Sequence, residues 1–237
     1  MPIRDRFPRL SLAGREVAAF ARQAWLLRHD ASAPVLPEDP AEGDQVVVFL
    51  HGLFATAGVL RPMRAAVTRN AGIHAAALTY PPGPGIVELA DRLASLVRAL
   101  PEHVHVHVVG HSLGGLVGRW FVQEIGYRRV VQTISLATPF AGVPRSGLLG
   151  FDFARDMDAS SPLLRRILLG DPGAPPIPHL SIIAADDTLI PAPLTHVLPG
   201  GDVAVVRGVG HNTLLYAPEV TALVERRVLA HRSARAA

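Results

Sequence analysis

The chain has 237 residues, 49% of them hydrophobic and 18% charged. That is long and apolar enough for one sizeable folded domain, and it excludes a disordered protein. There is no cysteine, which excludes disulfides and thiol chemistry. A pI of 10.1 invites a nucleic-acid partner, but the formal net charge is only +3 and all 23 basic side chains are arginine. They are scattered, with no stripe that could track phosphates, so no nucleic-acid partner is expected. No apolar run is long enough to span a membrane and no secretory pattern opens the sequence, so a cytoplasmic location is expected.

Residues 1–44 are expected to form an N-terminal helix and a linker. Ala13, Val17, Phe20, Ala24 and Leu27 recur at spacings of four and three, Ala18, Ala21 and Trp25 widen the stripe, and Arg15, Arg22, Gln23 and Arg28 lie off it. This is an amphipathic helix of four to five turns. Its stripe is expected to pack on the chain's own domain. The other reading is a basic helix on a membrane surface or a partner, and peripheral membrane contact could also involve the cap described below. Pro34, Pro37 and Pro40, with acidic residues between them, then make a linker that cannot continue the helix.

From residue 45 to the end, strands alternate with helices. Strands are expected at Val46–Leu50, Ile73–Thr79, Val104–Val109, Val130–Leu136, Leu180–Ala184 and Val203–Val206. Helices are expected near Leu60–Asn70, Ile86–Leu100, Leu116–Glu124 and Thr213–Ala230. The continuous apolar run of Val46–Leu50 suits a central parallel strand covered on both faces. The alternation predicts an α/β fold with a mostly parallel, doubly wound sheet of about six strands, whose site lies outside the carboxyl ends of the strands.

One strand runs directly into Gly110-His111-Ser112-Leu113-Gly114. Strand, sharp turn and helix in that order make a nucleophile elbow, with glycines where side chains would collide. A serine hydroxyl needs a base to take its proton and an acid to orient that base. Asp187 follows the Leu180 strand, and His211 follows the Val203 strand after Gly208 and Gly210. The order Ser112, Asp187, His211, each at a strand end, is the candidate triad. Asp186 is the rival acid, disfavoured because it is still within the strand's reach. The candidate oxyanion donors are the backbone N–H groups of Leu113 and of Leu53, with Phe54 as alternative to Leu53.

Phe49-Leu50-His51-Gly52-Leu53, Gly110-His111-Ser112-Leu113-Gly114-Gly115 and Gly208-Val209-Gly210-His211 together resemble the α/β-hydrolase superfamily. Within it they are similar to bacterial lipases and esterases, and Ala137-Thr138-Pro139-Phe140-Ala141-Gly142 resembles the Thr-Pro turn of those lipases. The resemblance covers about residues 45–230 and leaves out the N-terminal helix and the two antiparallel strands that open larger members. It implies an α/β-hydrolase fold with a small cap, residues 139–178, between strands 6 and 7 in family order. It also implies ester hydrolysis through an acyl-enzyme, with no cofactor. The apolar content of the cap suggests either a lid or acyl-chain wall, or a plain cover for the sheet, and argues for a small-molecule or lipid ester with an apolar acyl group. Acyl transfer or thioester hydrolysis on the same triad, and a non-catalytic binding protein on the same fold, are the alternatives. His103, His105 and His107 share one strand face, and Asp152, Asp156 and Asp158 cluster. Neither set is expected to hold zinc or calcium.

Overall fold

The computed structural model describes residues 11–126, 128–170 and 177–236. The start of the N-terminal unit, before Ser11, and the part of the expected cap at 171–176 lie outside the described residues. Element order is α1 (Leu12–Leu26), β1 (Gln45–Leu50), α2 (Arg61–Val67), β2 (Ile73–Leu78), α3 (Ile86–Ala99), β3 (His105–His111) and α4 (Leu113–Trp120). It continues with β4 (Val130–Leu136), α5 (Asp152–Asp156), α6 (Pro162–Leu169), β5 (His179–Ala184), β6 (Asp202–Val206) and α7 (Pro218–Ala236). No helix among the described residues is long and apolar enough to cross a membrane.

The six strands form one sheet in the order β2-β1-β3-β4-β5-β6, and every neighbouring pair is parallel. Because successive side chains of a strand point to opposite faces, β1 feeds two cores. Val46, Val48 and Leu50 pack with Leu89 and Leu93 of α3 and Leu116 of α4. Val47 and Phe49 pack with Met63 of α2 and with Val220, Val224 and Val228 of α7. All the strands point the same way, so the loops after β1, β3, β5 and β6 gather at one edge.

Two helices differ from expectation. The helix expected over Leu116–Glu124 begins at Leu113, directly after the serine. It then closes through a single wider turn, Phe121–Ile125, ending at Gly126 with φ of 69°. The helix expected from Thr213 is one 3₁₀ turn, Thr213–Tyr216, followed by α7. Pro218 forces the residue before it out of helical geometry and is itself suited to the first helical position.

Residues 11–44 lie against the rest of the molecule. Thr56 Oγ1 donates to the carbonyls of Leu27 and His29 at the end of α1, each at 3.1 Å. Farther on, Val35 exchanges backbone hydrogen bonds of 2.9 and 3.0 Å with Ala77 of β2, the edge strand. The cap region folds down rather than projecting. Phe153, Ala154, Met157, Leu164 and Ile167 are buried in the core that α3 and α4 share, and Asp156 Oδ2 accepts from Ile86 N at 2.7 Å, capping α3.

Candidate active site

Ser112 sits between β3 and α4 with φ of 51° and ψ of −119°, a backbone conformation that non-glycine residues rarely hold and that is typical of functional turns. The neighbouring glycines make it possible. A Cβ at Gly110 would collide with the backbone of Gly114 and Gly115, and a Cβ at Gly114 would lie 2.5 Å from Leu50 O. Ser112 N donates to Leu136 O at 2.9 Å, which ties the turn to the end of β4. Leu113 is the first residue of α4, so its N–H has no intrahelical acceptor by position.

His211 and Asp187 meet at 2.6 Å through Nδ1 and Oδ2, both side chains buried. Asp187 Oδ1 accepts the backbone N–H groups of Leu189 and Ile190 at 2.9 and 2.8 Å. Burial alone raises the Asp187 carboxyl, but the His211 hydrogen bond and charge, the Ile190 N–H and His196 outweigh it and hold it below the ordinary carboxylate value. Asp186 has a different job: its Oδ2 accepts Gly208 N at 2.6 Å and pins the loop that carries His211. The structure therefore brings Asp187, not Asp186, to His211.

Two further histidines frame this pair, and no role was expected for either. His196 is buried with Nε2 3.7 Å from Asp187 Oδ2 and 3.1 Å from Ile190 O. His111 Nε2 donates to His211 O at 3.1 Å. Its burial, reinforced by the nearby His211 charge, depresses its pKa to about 3, so it acts as a neutral strut under the loop.

The loop after β1 lies beside the serine. A Cβ at Gly52 would come 3.2 Å from Ser112 Cβ and 2.8 Å from His111 Nδ1. His51 anchors it: Nδ1 donates to Gly52 O at 2.7 Å, and Nε2 accepts Tyr80 N at 3.1 Å. The Tyr80 hydroxyl donates to His51 O, a contact that no motif in the sequence announced. Leu53 and Phe54 follow, and Phe54 has φ of 54°.

Ser112 and His211 line one cavity of about 540 Å³, together with Leu53, Phe54, Met157, Leu189 and Ile190. The surprise is the fourth wall, which is α1: Phe20, Gln23, Ala24 and Leu27 line the same cavity. Among the described residues of the expected cap, only Met157 lines it. Hydrogen bonds made by Glu16 and Gln23 fix α1 here. Gln23 Nε2 donates to Asn212 Oδ1 at 2.8 Å. Glu16 Oε1 accepts Thr213 N at 3.0 Å and Thr213 Oγ1 at 2.6 Å.

The other candidate clusters are spent on structure. His103 Nε2 bonds Pro40 O at 2.8 Å. His107 donates from Nε2 to the Gln45 side-chain oxygen and accepts from Gln132 Nε2 at 2.7 Å. Asp158 Oδ1 accepts from Ser160, while Asp156 caps α3. Among the described residues, no group of three or more His, Cys, Asp or Glu is arranged to hold a metal ion.

Comparison with known proteins agrees with this architecture. Residues 40–160 match the family described as "Putative serine esterase (DUF676)". Comparison with curated proteins gives no match. Among solved structures, a Bacillus licheniformis lipase in mature form superposes with a TM-score of 0.63 at 16% identity, covering 83% of this chain and 97% of its own. A structure from work on two metagenome-derived lipolytic enzymes gives 0.64 at 15% identity, covering 88% and 99%. Naproxen esterase from Bacillus subtilis gives 0.52 at 16% identity, covering 94% and 99%. At such identities the likeness is one of fold, and the fold is that of the α/β-hydrolases.

Proposed function

Because this chain belongs to the DUF676 serine esterase family, we propose that it is an ester hydrolase that attacks carboxylic esters with apolar acyl groups through Ser112. The observation that carries this reading is the sharing of one apolar cavity by Ser112 and His211, with His211 held by a buried carboxylate at 2.6 Å.

In this reading the free Nε2 of His211 takes the proton of Ser112 as Oγ attacks the ester carbonyl. The proton passes to the departing alkoxide, leaving an acyl-serine, and His211 then draws a proton from water to release the acid. Asp187 fixes the imidazole with its proton on Nδ1 and stabilises the imidazolium. The N–H groups of Leu53 and Leu113 meet the oxyanion, the second reinforced by the positive end of α4. An apolar acyl or alcohol group suits a cavity walled by leucine, isoleucine, methionine and phenylalanine.

Labelling by a fluorophosphonate, with turnover of p-nitrophenyl esters from short to long acyl chains, tests the proposal. Ser112→Ala is expected to lose both the label and the turnover. An unlabelled native protein, or retained turnover in the variant, refutes the mechanism.

A further inference from the structure

α1 rests on the domain by its polar side. Glu16 and Gln23 face inward and bond the loop after β6, with Ala19 and Leu26 buried beside them. The apolar stripe faces out. Ala13, Val17, Phe20 and Ala24 recur at i, i+4, i+7 and i+11 and all are exposed, Val17 at 68% and Phe20 at 50%. Trp25, at 56%, widens the same surface. A helix that already has a domain to pack on does not normally leave such a face in water.

Two features say what covers it. The first is continuity with the cavity. Phe20 and Ala24 belong both to the stripe and to the wall of the Ser112 cavity, and exposed Phe54 and Leu189 continue the apolar rim on the far side of the mouth. A rigid protein partner seated on this face would plug the cavity, whereas a fluid lipid phase would cover the face and still feed the mouth. The second is charge. Exposed Arg28 lies on this surface and stacks over Trp25 at 4.1 Å, whereas Arg22, on the far side of α1, stacks over Tyr216 at 4.4 Å. The single acidic residue of α1, Glu16, is turned inward and bonded.

We propose that this face of α1, with Phe54 and Leu189, is a docking surface for an anionic lipid bilayer. Val17, Phe20 and Trp25 enter the headgroup boundary, and Arg28 beside Trp25 meets lipid phosphates. α1 lies in the plane of the bilayer surface, and the cavity of Ser112 opens into it. Only the delivery of substrate rests on the hydrolase reading; the docking does not.

The test uses the full chain carrying Ser112→Ala, so that no lipid is consumed, and Trp120→Phe, so that Trp25 is the single tryptophan. Vesicles of equal parts phosphatidylcholine and phosphatidylglycerol are expected to sediment the protein and shift Trp25 emission to the blue, with weaker binding to phosphatidylcholine alone. Val17→Glu with Ala21→Glu, both at exposed positions outside the cavity wall, is expected to weaken binding roughly tenfold or more. In the otherwise native chain, the same pair of changes is expected to leave the melting temperature and turnover of a short soluble ester unchanged. Absence of sedimentation and of the shift overturns the proposal. So does binding that the double glutamate leaves intact, or a dimer in size exclusion that the double glutamate dissociates while vesicles go unbound. A native chain that binds vesicles but turns over no ester supports docking and refutes the hydrolase reading alone.

Discussion

Tyr80 and His51 stack with ring centroids 4.0 Å apart and 24° between planes, and the tyrosine hydroxyl donates to the histidine's own carbonyl. The second residue beyond β2 thereby sets the position of the loop after β1, where the Leu53 N–H is proposed to meet the oxyanion. Tyr80→Phe keeps the stack and removes the hydroxyl, leaving a buried carbonyl one donor short. A loss of about 1–2 kcal/mol in stability is expected from urea unfolding. Turnover should fall with little change in KM, since a displaced oxyanion donor is felt most in the transition state. An unchanged kcat would show that the loop is held without Tyr80.

The two adjacent aspartates separate by function. Asp187→Asn keeps the shape but favours the wrong histidine tautomer, and kcat is expected to drop by about ten-thousand-fold, by analogy with the serine-protease triad. Asp186→Asn loses only the charge on its hydrogen bond to Gly208 N, and kcat/KM should stay within about tenfold of native, roughly the effect of one weakened surface-loop hydrogen bond. Steady-state kinetics on p-nitrophenyl butyrate distinguishes them, and equal losses would contradict the division of labour.

Ala24 lines the cavity from α1, so its size should set how much ester fits. Ala24→Phe fills space next to Leu27 and is expected to shift preference toward shorter acyl chains. The ratio of kcat/KM for a long over a short ester should fall by roughly tenfold or more, a cost of about 1.4 kcal/mol or above. A series of acyl lengths checks this, and an unaltered profile would place the acyl group elsewhere.

Four buried histidines predict the acid limb of stability. Burial depresses His51 to about 4 and His107, His111 and His179 to about 3, against 6.5 in the unfolded chain. These histidines are neutral when folded, and the unfolded chain takes up their protons first as pH falls. Their contribution is therefore complete above about 6.5 and is lost on acidification toward about 3, each at up to ~1.4 kcal/mol per pH unit. Asp187, held below its ordinary value, is lost only at the lowest pH and in the same direction. Melting temperature measured from pH 7.5 down to pH 4 should decline steeply below 6.5. A flat profile would mean that the folded protein binds these protons.

The sheet, the elbow and the order of the three polar groups were legible because each follows from local chemistry: apolar runs, glycine spacing, and residues placed just beyond strand ends. The helix start after Ser112 was misread by three residues because the apolar pattern begins at Leu116, while the backbone turns helical at the serine itself. Periodicity found the stripe of α1 but assigned it to the interior. A 3.6-residue repeat says which residues share a face, not which way that face points. The inward face is chosen instead by Glu16 and Gln23, whose partners Thr213 and Asn212 lie nearly two hundred residues away. Tyr80, His111 and His196 were missed for a related reason, since their partners are backbone carbonyls and a neighbouring carboxylate, which leave no pattern in the sequence.

The bonds between Glu16 and Thr213 span 197 positions, with a consequence for synthesis on the ribosome. α1 is made before any strand of the sheet, and the loop that it must grip only after the sixth. Until that loop emerges, the sheet's first strands can assemble but the cavity lacks both His211 and the partners that seat its fourth wall. Closing so long a loop is slow compared with forming local contacts. Docking of α1 is thus expected to be a late event in folding, and a nascent chain carries its serine long before it can use it.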